Sequence, residues 1–483
     1  LFPLTKQDAK PPRLPVTETG AVRLFYLCFW ACSLGLFTAC SDDEEPSWQK
    51  LPTETISADN LELTLNSQKM SDASISLTMS DAQTGVLTLT NAIRGWNEVK
   101  VDVSVAEQSD GSFRFQGTYE MPLTRTLLNS MKADVNGSIT LDGKASVTVS
   151  TTAEGTLVRT WTLCDASYTD KYFDRNADGV LDSQDWFRYA PCHINWESDY
   201  SSDGNNPGLA TGNITTVGTT ALSYFMTQLL NHVTFNADGS IVAEYAAETP
   251  EMDMGGIMQA ILGSTLPSRD GLKWNTSSAN LAYWYVTDND LYVVLDIPNI
   301  IAQAVADQGG EGGMDPTVIT GVIQSLKGMS GAEVKQLLAS LLTEMGGDSI
   351  LSKLDITKIS DADMEKLMGY VFNGFPLVHR IANANFEDGQ TLENMYVSVD
   401  KELFDILMPA VFPLLPDLET MLADMQIEIF GQSAPLLPLL KGLLGIQSLT
   451  EFEQIWEATS SFDIGLDLAV GSFSELIKAQ SSK

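Results

Sequence analysis

Twelve residues, Asp174 to Asp185, place oxygen-bearing side chains where a hard cation needs them. Asp174, Asn176 and Asp178 occupy positions 1, 3 and 5 of the segment. Gly179 at position 6 allows a sharp turn, and Val180 at position 7 offers its backbone carbonyl. Asp182 at position 9 coordinates directly or through water, and Asp185 closes the segment at position 12. A hard divalent cation takes about six to eight oxygens, and alternate residues of a tight loop supply them. These residues predict one calcium ion, with Leu181 anchoring the loop to a core. Its role is structural, because the segment is too polar to be held by burial. The plainer reading of the same residues is a turn in which Asx side chains bond their own backbone.

Thiols are the other reactive groups. Cys28 and Cys32 lie in the run 24–39, LFYLCFWACSLGLFTA, which follows Arg23. Such a run is too short to span a bilayer comfortably and has the make-up of a signal h-region. It ends Phe37-Thr38-Ala39-Cys40, small residues leading to a thiol. Cys164 and Cys192 remain. Two thiols flanking an irregular segment in an oxidising compartment predict one disulfide, with two buried free thiols as the alternative.

These motifs resemble known families. Asp174–Asp185 is similar to the calcium loops of EF-hands and dockerins. EF-hands usually place Glu at position 12, so Asp185 is the dockerin-like choice, yet one loop is not the tandem pair of a dockerin. Phe37–Cys40 resembles a bacterial lipobox, which implies that Cys40 is lipidated and becomes the mature N-terminus. Ser41-Asp42-Asp43-Glu44-Glu45 resembles the acidic export signal of Bacteroidetes surface lipoproteins. That implies a lipid-anchored protein on the outer face of the outer membrane. A solvated acidic linker on a periplasmic lipoprotein is the alternative.

Composition narrows the partners. The chain has 483 residues, 28 Lys and Arg against 63 Asp and Glu, and a net charge of −35. Such a surface repels phosphate backbones and anionic headgroups. No nucleic-acid partner is expected, and membrane contact must run through an inserted or attached apolar anchor. Only His193, His232 and His379 are present, which removes most His-centred zinc sites and much His-based acid–base chemistry. No nucleophile elbow, phosphate loop or dinucleotide fingerprint occurs.

The elements that must position these groups divide the chain. Residues 1–39 read as a signal peptide with an upstream extension, 40–55 as a lipidated acidic tether, 56–164 as a β-domain, 165–212 as the calcium-loop connector, and 213–483 as an α+β domain. Alternation in Leu61–Leu65, Ile75–Met79, Val86–Thr90, Val99–Val103, Phe113–Phe115, Val147–Val149 and Leu157–Trp161 marks strands. Asp110-Gly111, Asn136-Gly137, Asp142-Gly143 and Glu154-Gly155 read as turns between them. This rhythm resembles the calycin-like N-terminal domains of Bacteroides-type lipoproteins. The resemblance implies a barrel or sandwich and a surface location, and it carries no reaction. Further on, hairpins turn at Asn236–Gly239 and Thr287–Asp290. Ser330 and Glu333 form a capping box, opening a helix with one apolar face from Val334 to Met345 that ends at Gly346-Gly347. Ser360 and Thr450 open others.

Two surfaces suit a ligand. Trp186, Tyr189, Trp196, Tyr200, Trp274, Tyr283, Trp284 and Tyr285 make either a glycan platform or a core. The apolar helical residues of 251–446 line either a greasy pocket or a helix-on-sheet core. The favoured reading is a non-catalytic cell-surface lipoprotein binding an extracellular glycan or apolar small molecule, with a structural calcium. No catalytic residue stands out. A carboxylate-dependent, glycosidase-like hydrolase and a purely structural envelope lipoprotein are the alternatives. No feature fixes an oligomeric state.

Overall fold

The computed structural model describes residues 45–123, 127–201, 208–248, 250, 253–263, 265–287, 290–307, 321, 325–344, 353–429 and 432–482. The signal-like run, Cys40, acidic residues 41–44, loop residues 202–207, turn residues Asp288 and Asn289, and the helix end at 345–347 lie outside the described residues. Ser47–Lys50 make a 3-10 turn, and the described residues from Pro52 onward form a separate compact unit.

The first sheet holds β1 (Ile56–Ser57), β2 (Leu61–Leu65), β3 (Gln68–Lys69), β4 (Ser74–Met79), β5 (Thr84–Ile93), β6 (Trp96–Glu107), β7 (Phe113–Glu120), β8 (Ser130–Ile139) and β9 (Ala145–Glu154). Its order is β1-β4-β5-β6-β7-β8-β9-β2-β3. Neighbours run antiparallel except β2 and β9, which are parallel with Leu63 opposite Val147. In β9, Ala145, Val147 and Val149 are buried while Ser146, Thr148 and Ser150 face solvent. That period of two is what the sequence pattern encodes. Each fully buried Leu or Val on the inner row contributes about 1.5–3 kcal/mol, so this row holds the sheet together.

Asn136-Gly137 is not a turn. Both residues continue β8, paired with Thr148 and Val147 on one side and Gln116 and Phe115 on the other. The missing side chain of Gly137 admits the Phe115 ring. A Cβ there would lie 2.5 Å from Phe115 Cζ and 2.6 Å from the Ser146 carbonyl oxygen.

The second sheet uses β10 (Thr160–Leu163), β13 (Cys192–Ser198), β14 (Leu230–Phe235), β15 (Ser240–Ala246), β16 (Trp274–Thr276), β17 (Ala282–Thr287), β18 (Asp290–Leu295), β19 (Phe375–Asn385), β20 (Thr391–Asp400) and β23 (Thr459–Ala469). Two small ribbons, β11 (Tyr168–Asp170) with β12 (Phe187–Tyr189) and β21 (Gln426–Ile429) with β22 (Gln432–Pro435), stand apart. The sheet order is β10-β14-β15-β17-β18-β19-β20-β23-β13, with β16 on β15. An added β10–β23 pairing joins the path into a hydrogen-bonded ring. Helices fill the connections, among them Leu209–Leu229, Gly331–Glu344, Asp361–Asn373 and Lys401–Val411. The protein is therefore mostly β-sheet with helices between strands.

Two strands sit outside the segments that sequence assigns them. β10, expected to finish the first domain, pairs with β14 and β23. Its Trp161 is fully buried and donates its indole N–H to the Leu157 carbonyl at 3.1 Å. β13, expected in a connector, runs along β23. The capping box forms as read: Ser330 N–H donates to Glu333 Oε2 at 2.8 Å, and Glu333 N–H to Ser330 Oγ at 3.4 Å. Ser360 Oγ caps its helix by accepting from Asp363 N–H at 3.0 Å. Thr450 does not cap. There Glu451 accepts from the Gln447 and Ser448 amides instead.

The expected Cys164–Cys192 disulfide is corrected by the structure, where both thiols are free and buried. Sheet register explains it. Leu163 pairs with Leu468 and Cys192 with Leu466, which puts them on one face and turns Cys164 to the other. Cys164 packs with Tyr189, Phe386 and Phe473, whereas the Cys192 amide bonds Ser223 Oγ on the long helix at 3.1 Å. Burial pushes both thiols up, Cys192 to about 12. Native protein at pH 8 is therefore expected to resist iodoacetamide, with both thiols labelled only after unfolding. Peptide mass mapping checks this, and a peptide pair short of two hydrogens would restore the disulfide.

Candidate functional site

The Asp174–Asp185 segment closes on itself. Asp174 accepts from the amides of Asp178 at 3.2 Å and Gly179 at 2.7 Å. Asn176 Oδ1 accepts from Asp178 N–H at 2.9 Å, Asp178 Oδ1 from Val180 N–H at 2.8 Å, and Asp182 Oδ1 from Gln184 N–H at 2.8 Å. Gly179 has φ +84° and Ala177 φ +57°. The second is a left-handed alanine, which costs about 1–2 kcal/mol and persists because the surrounding bonds hold it. Asp185 is 1% exposed. It accepts from the amide of Asp182 at 3.1 Å, and from those of Arg175 at 2.9 Å and Asn176 at 3.2 Å. These bonds, the one from Asp182 foremost, hold its carboxyl below the usual range.

Asp185 thus clamps the two ends of the loop together. Asp174, Asn176, Asp178, Asp182 and the Val180 carbonyl are the remaining oxygen donors. Among the described residues, no three His, Cys, Asp or Glu side chains converge on a metal-sized point. The apolar anchor expected at Leu181 is absent: Phe173, Leu181 and Trp186 are 52%, 57% and 53% exposed. A polar anchor replaces it. Arg175 pairs with fully buried Asp170 at 2.7 Å and lies 4.9 Å over the Phe187 ring. Asp170 also accepts from the Asn385 amide of β19.

Next to this loop, β13, β20 and β23 bring together a polar group that sequence reasoning did not single out. His193 Nε2 lies 2.5 Å from Asp467 Oδ2, which also accepts from Ala190 N–H at 3.1 Å. Asp467 is fully buried, and its Oδ1 has no partner among the described residues. Asn195 donates to the Tyr396 hydroxyl at 3.1 Å and to Asp463 at 3.0 Å, and Tyr396 donates to Asp463. Burial, then Asp463, pushes the Tyr396 phenol up. The partners lie far apart in sequence and meet only through strand register. They fasten β13 to β23.

The aromatic residues mostly build core. Tyr189 and Trp284 are buried, and Trp196 packs edge-on against Phe462 and Trp456. The apolar helical residues likewise pack inward, as Met258, Ile427 and Leu436 do. Tyr283 and Tyr285 differ, because they meet the first sheet.

At that seam Arg94, from the β5–β6 turn, lies 4.0 Å over the Tyr283 ring and bonds Gln68. From the other side the β14–β15 turn reaches across: Ala153 N–H donates to the Ala237 carbonyl at 2.8 Å, and Asn66 Nδ2 to the Asp238 carbonyl at 2.5 Å. Between the sheets runs a cavity of about 650 Å³, walled by Trp96, Tyr285, Tyr292 and Phe372 with Lys69, Asp72, Asn91, Arg94, Lys327 and Asn373. Lys69 and Arg94 also line a neighbouring cavity of about 440 Å³, with Gln68, Asn280, Asp296 and Asn299. Tyr292 also lines a third, of about 580 Å³, with Asp290, Tyr370, His379, Asp400 and Glu402. The three adjoin at these shared residues and are together called the trough.

Tyr285 and Tyr292 stack at 4.9 Å and 5°. The Tyr285 hydroxyl donates to the Asn373 carbonyl at 2.6 Å. Burial pushes Tyr283 and Tyr285 up to about 12, so both stay neutral at physiological pH. The Trp96 indole N–H is buried with no acceptor among the described residues. Lys327 pairs with Asp72. At the far end Asp400 caps a helix by accepting from Glu402 N–H at 3.1 Å, and Glu402 pairs with Lys366. Burial lowers the His379 pKa. Comparison with protein-family models, curated proteins and solved structures finds no match.

Proposed function

We propose that the protein is a non-catalytic cell-surface lipoprotein, anchored by lipid on Cys40, that binds an extracellular glycan in the trough between its two sheets. The observation that carries this reading is the trough itself: ligand sites favour domain seams, and this one combines aromatic rings with amides and a few charges. That lining suits hydroxyl-rich rings better than an apolar small molecule. A carboxylate-dependent hydrolase is less favoured, because Asp400 and Glu402 are engaged in a helix cap and an ion pair. In this reading residues 56–164 supply most of a calycin-like β-unit and the later chain an α+β unit. The Asp174–Asp185 loop holds one structural calcium.

Three measurements test it. Cys40→Ser is expected to move the protein from the membrane to the soluble fraction, and unchanged membrane retention would remove the anchor. An immobilised glycan panel is expected to give binding that Tyr292→Ala abolishes. A chelator is expected to lower the melting temperature by an amount following RT ln(1 + [Ca²⁺]/Kd). Asp174→Ala should erase that response while Ser183→Ala keeps it. Identical melting with millimolar calcium and with chelator would dispose of the structural ion.

A further inference from the structure

At one end of the trough the charges run against those of the chain. Acidic residues outnumber basic ones 63 to 28 overall. Yet the two cavities that meet at Lys69 and Arg94 are lined by Lys69, Arg94 and Lys327 against Asp72 and Asp296. Lys327 is already paired with Asp72. Lys69 is exposed and has no ion-pair partner among the described residues. Arg94 is fixed by the Tyr283 ring beneath it and by Gln68, so its guanidinium is held at the junction without a search through rotamers. Burial lowers the Arg94 pKa, while Tyr283 and then Asp296 favour its charge; with Asp296 beside Arg94, Lys69 is left as the uncompensated cation.

We infer that the trough takes an anionic saccharide, whose carboxylate or sulfate group seats between Lys69 and Arg94 while its sugar rings lie along Trp96 and Tyr292. This inference rests on the glycan-binding reading and adds the ligand class. The opposite end, lined by Asp290, Asp400 and Glu402, repels a second anion, so the trough has a direction. The net charge of −35 disfavours polyanions over the chain as a whole, which makes a locally basic junction the favoured place for an anionic group. Nucleic acid fits poorly, since a continuous row of phosphates would lie against the acidic end.

The test is titration calorimetry of the whole mature chain with three probes. Hexagalacturonate carries carboxylates, a carrageenan hexasaccharide carries sulfates alone, and maltohexaose is neutral. One or both acidic probes should bind at least tenfold more tightly than maltohexaose, and which of them does so identifies the acid group. Salt at about 1 M, where the screening length is ~3 Å, should remove that preference. Lys69→Gln should weaken the acidic probe at least tenfold and Lys69→Glu further, with maltohexaose unaffected. Lys69 is on the surface, so these variants avoid the folding risk of Arg94→Gln. Equal affinity for maltohexaose, lost in Tyr292→Ala, would overturn the anionic class and keep the glycan reading. Acidic-probe binding indifferent to both Lys69 variants would overturn the placement. Binding of none of the three probes, together with a silent glycan panel, would overturn the inference and the glycan reading.

Discussion

Asp467→Ala is expected to lower unfolding free energy by about 3 kcal/mol, because it strands buried partners of a charged group. The carboxylate receives the Ala190 amide and the His193 ring on one oxygen, in a site with no exposure. Removing it leaves the amide and the imidazole without an acceptor and takes one side-chain tie from the β13–β23 pairing, whose backbone ladder remains. Asp467→Asn retains the shape and one acceptor oxygen, so it should cost less than the alanine. Urea unfolding followed by tryptophan fluorescence measures both. A loss below about 0.5 kcal/mol for the alanine, the size of an ordinary surface substitution, would show that the cluster does not hold the strand.

Gly137→Ala carries the second large effect. Its Cβ would press on the Phe115 ring and on a backbone oxygen of β9, and backbone cannot step aside as a side-chain tip can. Overpacking of this kind costs about 1–3 kcal/mol. The paired variant Gly137→Ala with Phe115→Leu should recover part of the loss by opening the contact. Recovery in the double variant checks the packing argument, and an unchanged midpoint in Gly137→Ala alone would refute it.

Gly137 also shows where the sequence stops being legible. Alternation marks β2, β4, β5, β6, β7 and β9 of the first sheet, because each buries one face against a core, while β8 goes unmarked. Asn136-Gly137 imitates a turn because the residue types are the same whether glycine serves a bend or makes room for a ring. β10 and β13 were readable as strands or loops but not as members of the second sheet, since pairing with β23 spans some three hundred residues. The cysteines failed for a related reason: spacing in sequence says nothing of which face each thiol takes.

The acidic loop was legible in its residue types and its glycine at position 6. Its attachment was not, because Leu181 and Trp186 stay outside and Arg175 with Asp170 does the fastening. The trough was invisible. Lys69, Arg94, Tyr292 and Phe372 come from four separate segments and share no pattern, and only the meeting of two sheets and the helix Asp361–Asn373 makes them one surface.

Hydrogen exchange of the mature protein, with and without a saturating acidic oligosaccharide, tests the central claim most directly. The account predicts slowed exchange confined to residues 67–72, 91–97 and 285–294, with the exposed Phe173–Trp186 loop unchanged. Protection at that loop, or none along the seam, would contradict it.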